Sequence, residues 1–191
     1  MKKLTRADIW PNAVYEKARD EFRARIVAEK APRRVQLGDS VTLVFENRDT
    51  AKFQIQEMIR IEGITSPEGV QAEIDVYNEL VPAEGELSAT LMIDVTEEEK
   101  IKVMLNRLVG IEDSLWLCFG GREVKALFAQ GQTDGARVSA VQYVHFALGS
   151  EERRVFAGAA EATLELRHPA YRATARLSAE CLASLRRDLA S

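Results

Sequence analysis

Within the 191 residues of this chain, Glu46-Asn47-Arg48-Asp49-Thr50 sets two carboxylates, an amide, a guanidinium and a hydroxyl side by side. The five residues follow the β-rich run VTLVFE and precede a helical pattern, so they fall where a strand hands over to a helix N-terminus. Free N–H groups and the helix dipole point outward at such a junction, and Arg48 offers a bidentate fork, a combination that suits a small anion. A plainer account also fits: Asn47 or Asp49 caps the helix while Arg48 pairs with Glu46. On the sequence both stay open.

The other chemically capable groups are scattered. His145 shares a strand face with Ser139, Val141 and Tyr143, and His168 precedes Pro169 at a hairpin tip. With Cys118 and Cys181 they do not make the clustered Cys/His spacing of a zinc site. The E-x-x-H pair of a ferritin-like carboxylate bundle is absent, as are G-x-x-x-x-G-K-[ST] and G-x-G-x-x-G. No metal or cofactor is therefore expected, and no motif names a reaction. Cys118 alternates with Leu117 and Phe119 inside a strand. Cys181 falls in the first turn of a capped helix, where the dipole lowers a thiol pKa, so it is the cysteine to test as a nucleophile against the alternative of a small buried hydrophobe.

The elements that must position these groups follow from patterning. Apolar residues at 46% and charged residues at 29% describe an ordinary globular chain, and a net charge of -4 argues against a broad nucleic-acid or anionic-membrane surface. Basic residues do gather at Lys30, Arg33 and Arg34 and at Arg167, Arg172 and Arg176, but interleaved acids make these read as solvated faces. The N-terminus MKKLTRADIW has no apolar stretch behind its lysines, no run is long enough to span a bilayer, and the two cysteines form no CxxC. A cytoplasmic protein with reduced thiols is expected.

Thr5 caps a short first turn, and Val14, Ala18, Phe22 and Ile26 mark a long amphipathic helix ending before Pro32. VQL and VTLVFE around GDS predict a hairpin over 34–46. Ser66-Pro67 opens a helix that Pro82 stops, and ELSATLMIDV alternates as a strand. Thr96 and Glu99 form a capping-box pattern for a helix over 97–109, with Gly110 at its end. Gly120-Gly121 predicts a tight hairpin, QGQTDG a loop, and ARVSAVQYVHFAL a strand. ATLELR and YRATARL flank His168-Pro169 as a last hairpin, and Ser178 caps a closing helix. The sum is an α+β fold with a mainly antiparallel sheet of about eight strands, flanking helices and a long N-terminal helix, in one domain over 1–191 with a seam near 110–114.

The helix after Thr50 carries an oddity. At 100° per residue, Ala51, Ile55, Met58, Ile59 and Ile61 occupy an arc of about 160°. Gln54 and Glu62 fall inside that arc, so they require polar partners beneath the helix. Phe53 falls opposite, beside Gln56, Glu57 and Arg60. An aromatic among polar residues on an outward face suggests an interaction surface made of those four.

The stretches FENRDTAKFQIQEMIRIEGI, YNELVP, LSATLMIDV, GIEDSLWL and RHPAYRATARL together resemble a bacterial family of unknown function. The resemblance covers nearly the whole chain. It is strongest at Glu46 to Thr50, Gln54, Gln56, Glu57 and Met58, and again at Tyr77, Asn78, His168, Pro169 and Tyr171. It implies a setting beside rubrerythrin-like proteins and iron–sulphur oxidoreductases related to heterodisulfide reductase, with no catalytic residues to carry over. Where the family leads one to expect an acid before His-Pro, this chain has Arg167, which weakens an Asp-His unit there. Two functions follow as expectations. The first is a non-catalytic cytoplasmic accessory or interaction protein of a rubrerythrin-like or iron–sulphur redox system, docking through Phe53, Gln56, Glu57 and Arg60. The second is an enzyme or sensor binding a small anion at Arg48 and the adjoining helix start. His168, Tyr171 and Cys181 are secondary candidates.

Overall fold

The computed structural model of the protein describes residues 1–94, 98–131 and 137–190, with the side chains of 98–100 left aside. Helix α1 (Asn12–Lys30) leads into β1 (Arg34–Leu37) and β2 (Val41–Glu46), then α2 (Arg48–Ile61), α3 (Pro67–Tyr77) and β3 (Glu86–Ile93). After α4 (Glu98–Arg107) come β4 (Leu115–Phe119), β5 (Arg122–Lys125), β6 (Leu127–Phe128) and β7 (Val141–Ala147). Helix α5 (Ser150–Gly158), β8 (Ala162–His168), β9 (Tyr171–Arg176) and α6 (Ala179–Leu189) complete the chain.

Among the described residues every strand pair is antiparallel, in a five-stranded sheet of order β1-β2-β3-β7-β6 and a four-stranded sheet of order β5-β4-β8-β9. The α+β class holds. The single sheet expected is two, because the chain leaves β5 in one sheet and enters β6 in the other across the buried Ala126. On the opposite side β1 lies beside β9, and the Tyr171 hydroxyl ties them by donating to the Leu37 carbonyl at 2.7 Å and accepting from the Ser40 N–H at 3.0 Å. The sheets thus enclose a common core of inward residues such as Leu43, Phe45, Leu91, Leu117, Phe146 and Leu164, closed by Phe156 of α5 and Leu182 and Leu185 of α6.

Strand β2 is buried along its whole length, which is why VTLVFE does not alternate. Its inner face meets the barrel-like core, and its outer face is roofed by helices. Ala51, Ile55 and Ile59 of α2 pack with Ile74 of α3, Leu4, Leu80 and Val81 over the outer side of the larger sheet. Helix α1 lies in turn on α2, through Tyr15, Phe22 and Ile26.

Local chemistry sets the turns as expected. Gly120 and Gly121 have φ of 51° and 73°, the left-handed values that a two-residue hairpin of this hand needs. Asn47, Ser66 and Ser178 cap α2, α3 and α6 with their side-chain oxygens. Other expectations change. Val14 is exposed and Tyr15 takes its place inward, because α1 turns its face toward α2. Helix α5 has no counterpart in the patterning. The Thr96 capping pattern and most of the QGQTDG loop lie outside the described residues; the helix there spans Glu98–Arg107.

Candidate functional site

The face of α2 bearing Phe53, Gln56, Glu57 and Arg60 is covered by α1 and the segment before it. Phe53 packs edge-on against Phe22, with ring centroids 5.7 Å apart. Gln56 is fully buried: its amide oxygen accepts from the Trp10 N–H at 2.6 Å and its amide nitrogen donates to the Trp10 carbonyl at 3.2 Å. Glu57 accepts from the Tyr15 hydroxyl at 2.7 Å and from the Arg19 guanidinium at 2.8 Å. Arg60 joins it at 3.3 Å. The outward face that the helical wheel assigns to a partner protein is therefore an internal seam. A wheel built on α2 alone treats everything opposite the first core as solvent, and α1 supplies a second apolar surface there.

The Arg48 site changes as well. Asn47 accepts the N–H groups of Asp49 and Thr50 at 3.0 Å, and the Thr50 hydroxyl returns the favour by accepting the Asn47 N–H at 2.9 Å, so the first turn is capped from within. Arg48 pairs with Asp8 at 2.7 Å and donates to the Lys2 carbonyl at 3.0 Å. The Arg48 hydrogen bond holds the Asp8 carboxyl down at about 2, well below the usual range. Asp49 faces Arg25 at 3.4 Å. The fork expected to hold an anion already holds Asp8, and the capping account prevails with a different acid than Glu46.

Glu46 goes elsewhere. It leaves the outer face of β2, is only 4% exposed, and accepts from Lys30 at 3.1 Å and from Thr90 at 3.0 Å, both at Oε1. Its other oxygen, Oε2, is shielded from solvent and has no hydrogen-bond partner. A buried charged acceptor left unsatisfied costs about 1–3 kcal/mol or more, so this carboxylate has capacity for one further donor. It borders a cleft of about 190 Å³ on the outer side of the larger sheet.

Strand register builds the floor of that cleft. Arg34, Val44, Thr90 and Tyr143 are successive partners across four strands and form one transverse row, and Glu46, Ser88 and His145 form the neighbouring row. Adjacent strands are about 4.8 Å apart, so Arg34 stands roughly 10 Å from Thr90 along the row. Met92 and Val141 extend the floor, and Gln54, Tyr77 and Leu80 form the wall contributed by α2 and the end of α3. Gln54 stands beside Tyr77 in this wall and acts on its phenol in the direction opposite to burial. Burial pushes the Tyr77 and Tyr143 phenols up, so both are neutral hydrogen-bonding groups at pH 7. Glu62, by contrast, is exposed beyond the end of the core, as is Ile61.

A chain of charges fixes the Lys30 end. Arg33, 1% exposed, donates to Asp188 of α6 at 2.7 and 3.0 Å and to Glu29 at 3.0 Å. Glu29 also accepts from the Asn47 amide at 3.1 Å. The end of α1, the cap of α2 and the last helix are therefore braced together next to Glu46.

The secondary candidates separate from the cleft. His168 is buried at the β8–β9 turn, where Nδ1 accepts the Ala170 N–H at 3.2 Å and Nε2 lies 3.0 Å from the Val109 carbonyl. Those contacts assign the Nε2–H form, a strut between the hairpin and the segment after α4. Tyr171 bolts β9 to β1. Cys181 is fully buried and burial pushes its thiol up to about 11, so the dipole does not make it a nucleophile. His145, on β7 between β3 and β6, lies 3.3 Å from Glu86. Arg167 pairs with Glu123 and Glu165 at 2.6 and 2.9 Å and lies over Trp116.

Among the described residues no group of three or more His, Cys, Asp or Glu is placed to hold a metal ion. No helix there is long and apolar enough to cross a membrane. Larger hollows exist, including one of about 340 Å³ between α5 and α6. Of its arginines, Arg186 donates to the Phe156 and Ala159 carbonyls, Arg154 pairs with Glu151 at 2.8 Å, and Arg153 pairs with Glu84 at 3.6 Å while its buried Nε has no partner.

A family profile described as "Protein of unknown function (DUF3501)" matches residues 3–189. A search of curated proteins returns no match. A crystal structure of a protein of unknown function from Burkholderia pseudomallei is similar at 35% sequence identity and a TM-score of 0.91, over 98% of this chain and 100% of that one.

Proposed function

The chain belongs to the DUF3501 family, and we propose that it works as a small-molecule-binding protein whose ligand lies in the cleft over Glu46. The observation that carries this reading is the half-satisfied, buried carboxylate beside an open hollow. Stability alone disfavours such a group, which suggests that the group has a guest to receive. The cleft volume of about 190 Å³ is below the roughly 300–1,000 Å³ of drug-sized sites, so the guest is a molecule of few atoms. Lys30, Thr90, Gln54, Tyr77 and Tyr143 supply the surrounding polar groups, and Val44, Met92 and Leu80 the apolar ones. With neutral phenols and no activated nucleophile among the described lining residues, recognition is a better description than covalent chemistry. The anion-binding role assigned to Arg48 on sequence moves to this cleft, where Lys30 and Arg34 are the cations.

A thermal-shift screen of small hydroxylated, amidic and anionic metabolites tests the proposal. A stabilising compound whose effect disappears in Glu46→Gln, with the variant folded by circular dichroism, supports it. A screen in which every stabiliser acts equally on Glu46→Gln counts against it.

The family resemblance supports a second, compatible reading: a cytoplasmic accessory protein of a rubrerythrin-like or iron–sulphur redox system. Its docking surface would not be the buried α2 face. The outer side of the smaller sheet, where Arg167, Arg172 and Arg176 are exposed, is the surface this reading requires. Co-purification of such a redox protein that is lost on Arg172→Glu plus Arg176→Glu favours it; retention in that double variant removes that surface from the reading.

A further inference from the structure

We infer that the ligand of the Glu46 cleft is a small organic monoanion that carries its own hydroxyl or amide N–H, with a short hydroxycarboxylate as its simplest representative. The inference rests on the cleft being a binding site and goes further by fixing the chemistry of both ends of the guest.

The inner end follows from Glu46. Glu46 borders the cleft as a hydrogen-bond acceptor, so a guest that engages it must present an N–H or O–H, and it reaches the shielded Oε2 only as the cleft wall gives way. Lys30 already faces this carboxylate at 3.1 Å. A guest ammonium would be a second cation competing for one carboxylate, with Lys30 beside it, whereas a neutral hydroxyl or amide meets no such repulsion.

The outer end follows from Arg34. Its side chain is exposed, has no ion pair or hydrogen bond among the described residues, and stands on the same transverse row as Val44 and Thr90. The formal charges bordering the cleft are those of Lys30, Arg34 and Glu46, two positive and one negative. A monoanion leaves that set neutral, and a dianion overshoots. Guanidinium and carboxylate also match as a planar fork, which a spherical halide does not exploit.

The distance between the two ends sets the guest's size. Glu46 lies two residues along β2 from Val44, the strand partner of Arg34, so the carboxylate and guanidinium stems start on a diagonal of roughly 8 Å and converge over the cleft. Side chains of that length leave room for a guest only a few bonds long. Val44 and Met92 floor the gap between them and suit a short carbon chain.

Isotherms or NMR titrations of the full chain with four probes test this: sodium glycolate, which has both groups; sodium acetate, which lacks the hydroxyl; ethylene glycol, which lacks the charge; and ethanolamine, which reverses it. Glycolate is expected to bind at least about tenfold more tightly than the other three, the loss that accompanies one missing charge-assisted hydrogen bond. Arg34→Ala, an exposed change that leaves the core untouched, is expected to remove most of the preference for glycolate over ethylene glycol. Acetate binding as well as glycolate would overturn the donor end, and ethylene glycol or ethanolamine binding as well would overturn the anionic end. Inorganic phosphate outcompeting glycolate would overturn the carboxylate class. If all probes fail while another compound binds in a Glu46-dependent manner, the ligand class is wrong and the cleft reading survives; if nothing binds through Glu46, both fall.

Discussion

Glu57 gathers a tyrosine hydroxyl and two arginines into the seam between α1 and α2. The Arg19 hydrogen bond, helped by Tyr15 and Arg60, holds its carboxyl down at about 2 from an ordinary value of 4.5. A depressed carboxylate stabilises the fold above its unfolded pKa, and the contribution disappears as pH falls through the folded one. Melting temperature should therefore drop between about pH 4.5 and 2 by more in the native protein than in Glu57→Gln; parallel curves would show that the pair contributes nothing. Tyr171 makes an equally local prediction. Its hydroxyl both donates to Leu37 and accepts from Ser40, so Tyr171→Phe is expected to cost about 1–3 kcal/mol by leaving two partly buried backbone groups unpaired, read by urea titration. Thiol chemistry is the third test at this scale. Cys181 should resist a disulfide reagent until the protein is denatured, while the half-buried Cys118 reacts first. Single residues also show the reach of sequence reading. Tyr171, His168 and Glu57 were marked by type and by family resemblance, but their roles as struts depend on partners up to 134 residues away, such as Leu37 for Tyr171, which no local pattern encodes.

At the level of elements, caps and turns were legible because they are local. Ser66, Ser178 and Gly120-Gly121 act through atoms within three residues of themselves. Asn47 belongs with them and adds its amide bond to Glu29, so Asn47→Ala should cost about 0.5–2 kcal/mol, lowering the melting temperature by a few degrees. Helix pairing was not legible. Gln56 read as solvent-facing because a polar residue on the far side of an amphipathic helix usually is; here it satisfies Trp10, which the sequence places 46 residues earlier. Helix α5 escaped for a related reason. SEERRVFAG has a single buried anchor, Phe156, which packs edge-on against Phe119 with centroids 4.9 Å apart, and its C-terminal carbonyls are capped by Arg186 from α6. One buried aromatic gives no periodicity to detect. Phe156→Ala should cost about 3–5 kcal/mol, and Arg186→Ala should loosen the same helix, seen as faster amide exchange over 150–158.

For the whole molecule, one core draws residues from Val35 to Leu185, and the seam near 110–114 is crossed by His168 to Val109 and by the Arg167 N–H to the Ser114 carbonyl at 2.8 Å. A single cooperative transition by circular dichroism and by tryptophan fluorescence is therefore expected, and two separated transitions would mark 110–114 as a boundary. At this scale the α+β class and antiparallel pairing were readable from alternation, whereas the split into two sheets depended on Ala126 and the candidate site on a transverse row of four strands. Glu46 was on the short list of sequence candidates, yet the partners that define its cleft, Arg34, Thr90 and Tyr143, are distributed over β1, β3 and β7. The central claim is that this row and Glu46 receive a short hydroxycarboxylate. A ¹H–¹⁵N NMR titration of the full chain with sodium glycolate tests it most directly: saturable shifts concentrated at Arg34, Val44, Glu46, Thr90 and Tyr143 are predicted, and saturable shifts concentrated at Arg48 to Thr50, or no saturable shifts at all, would contradict it.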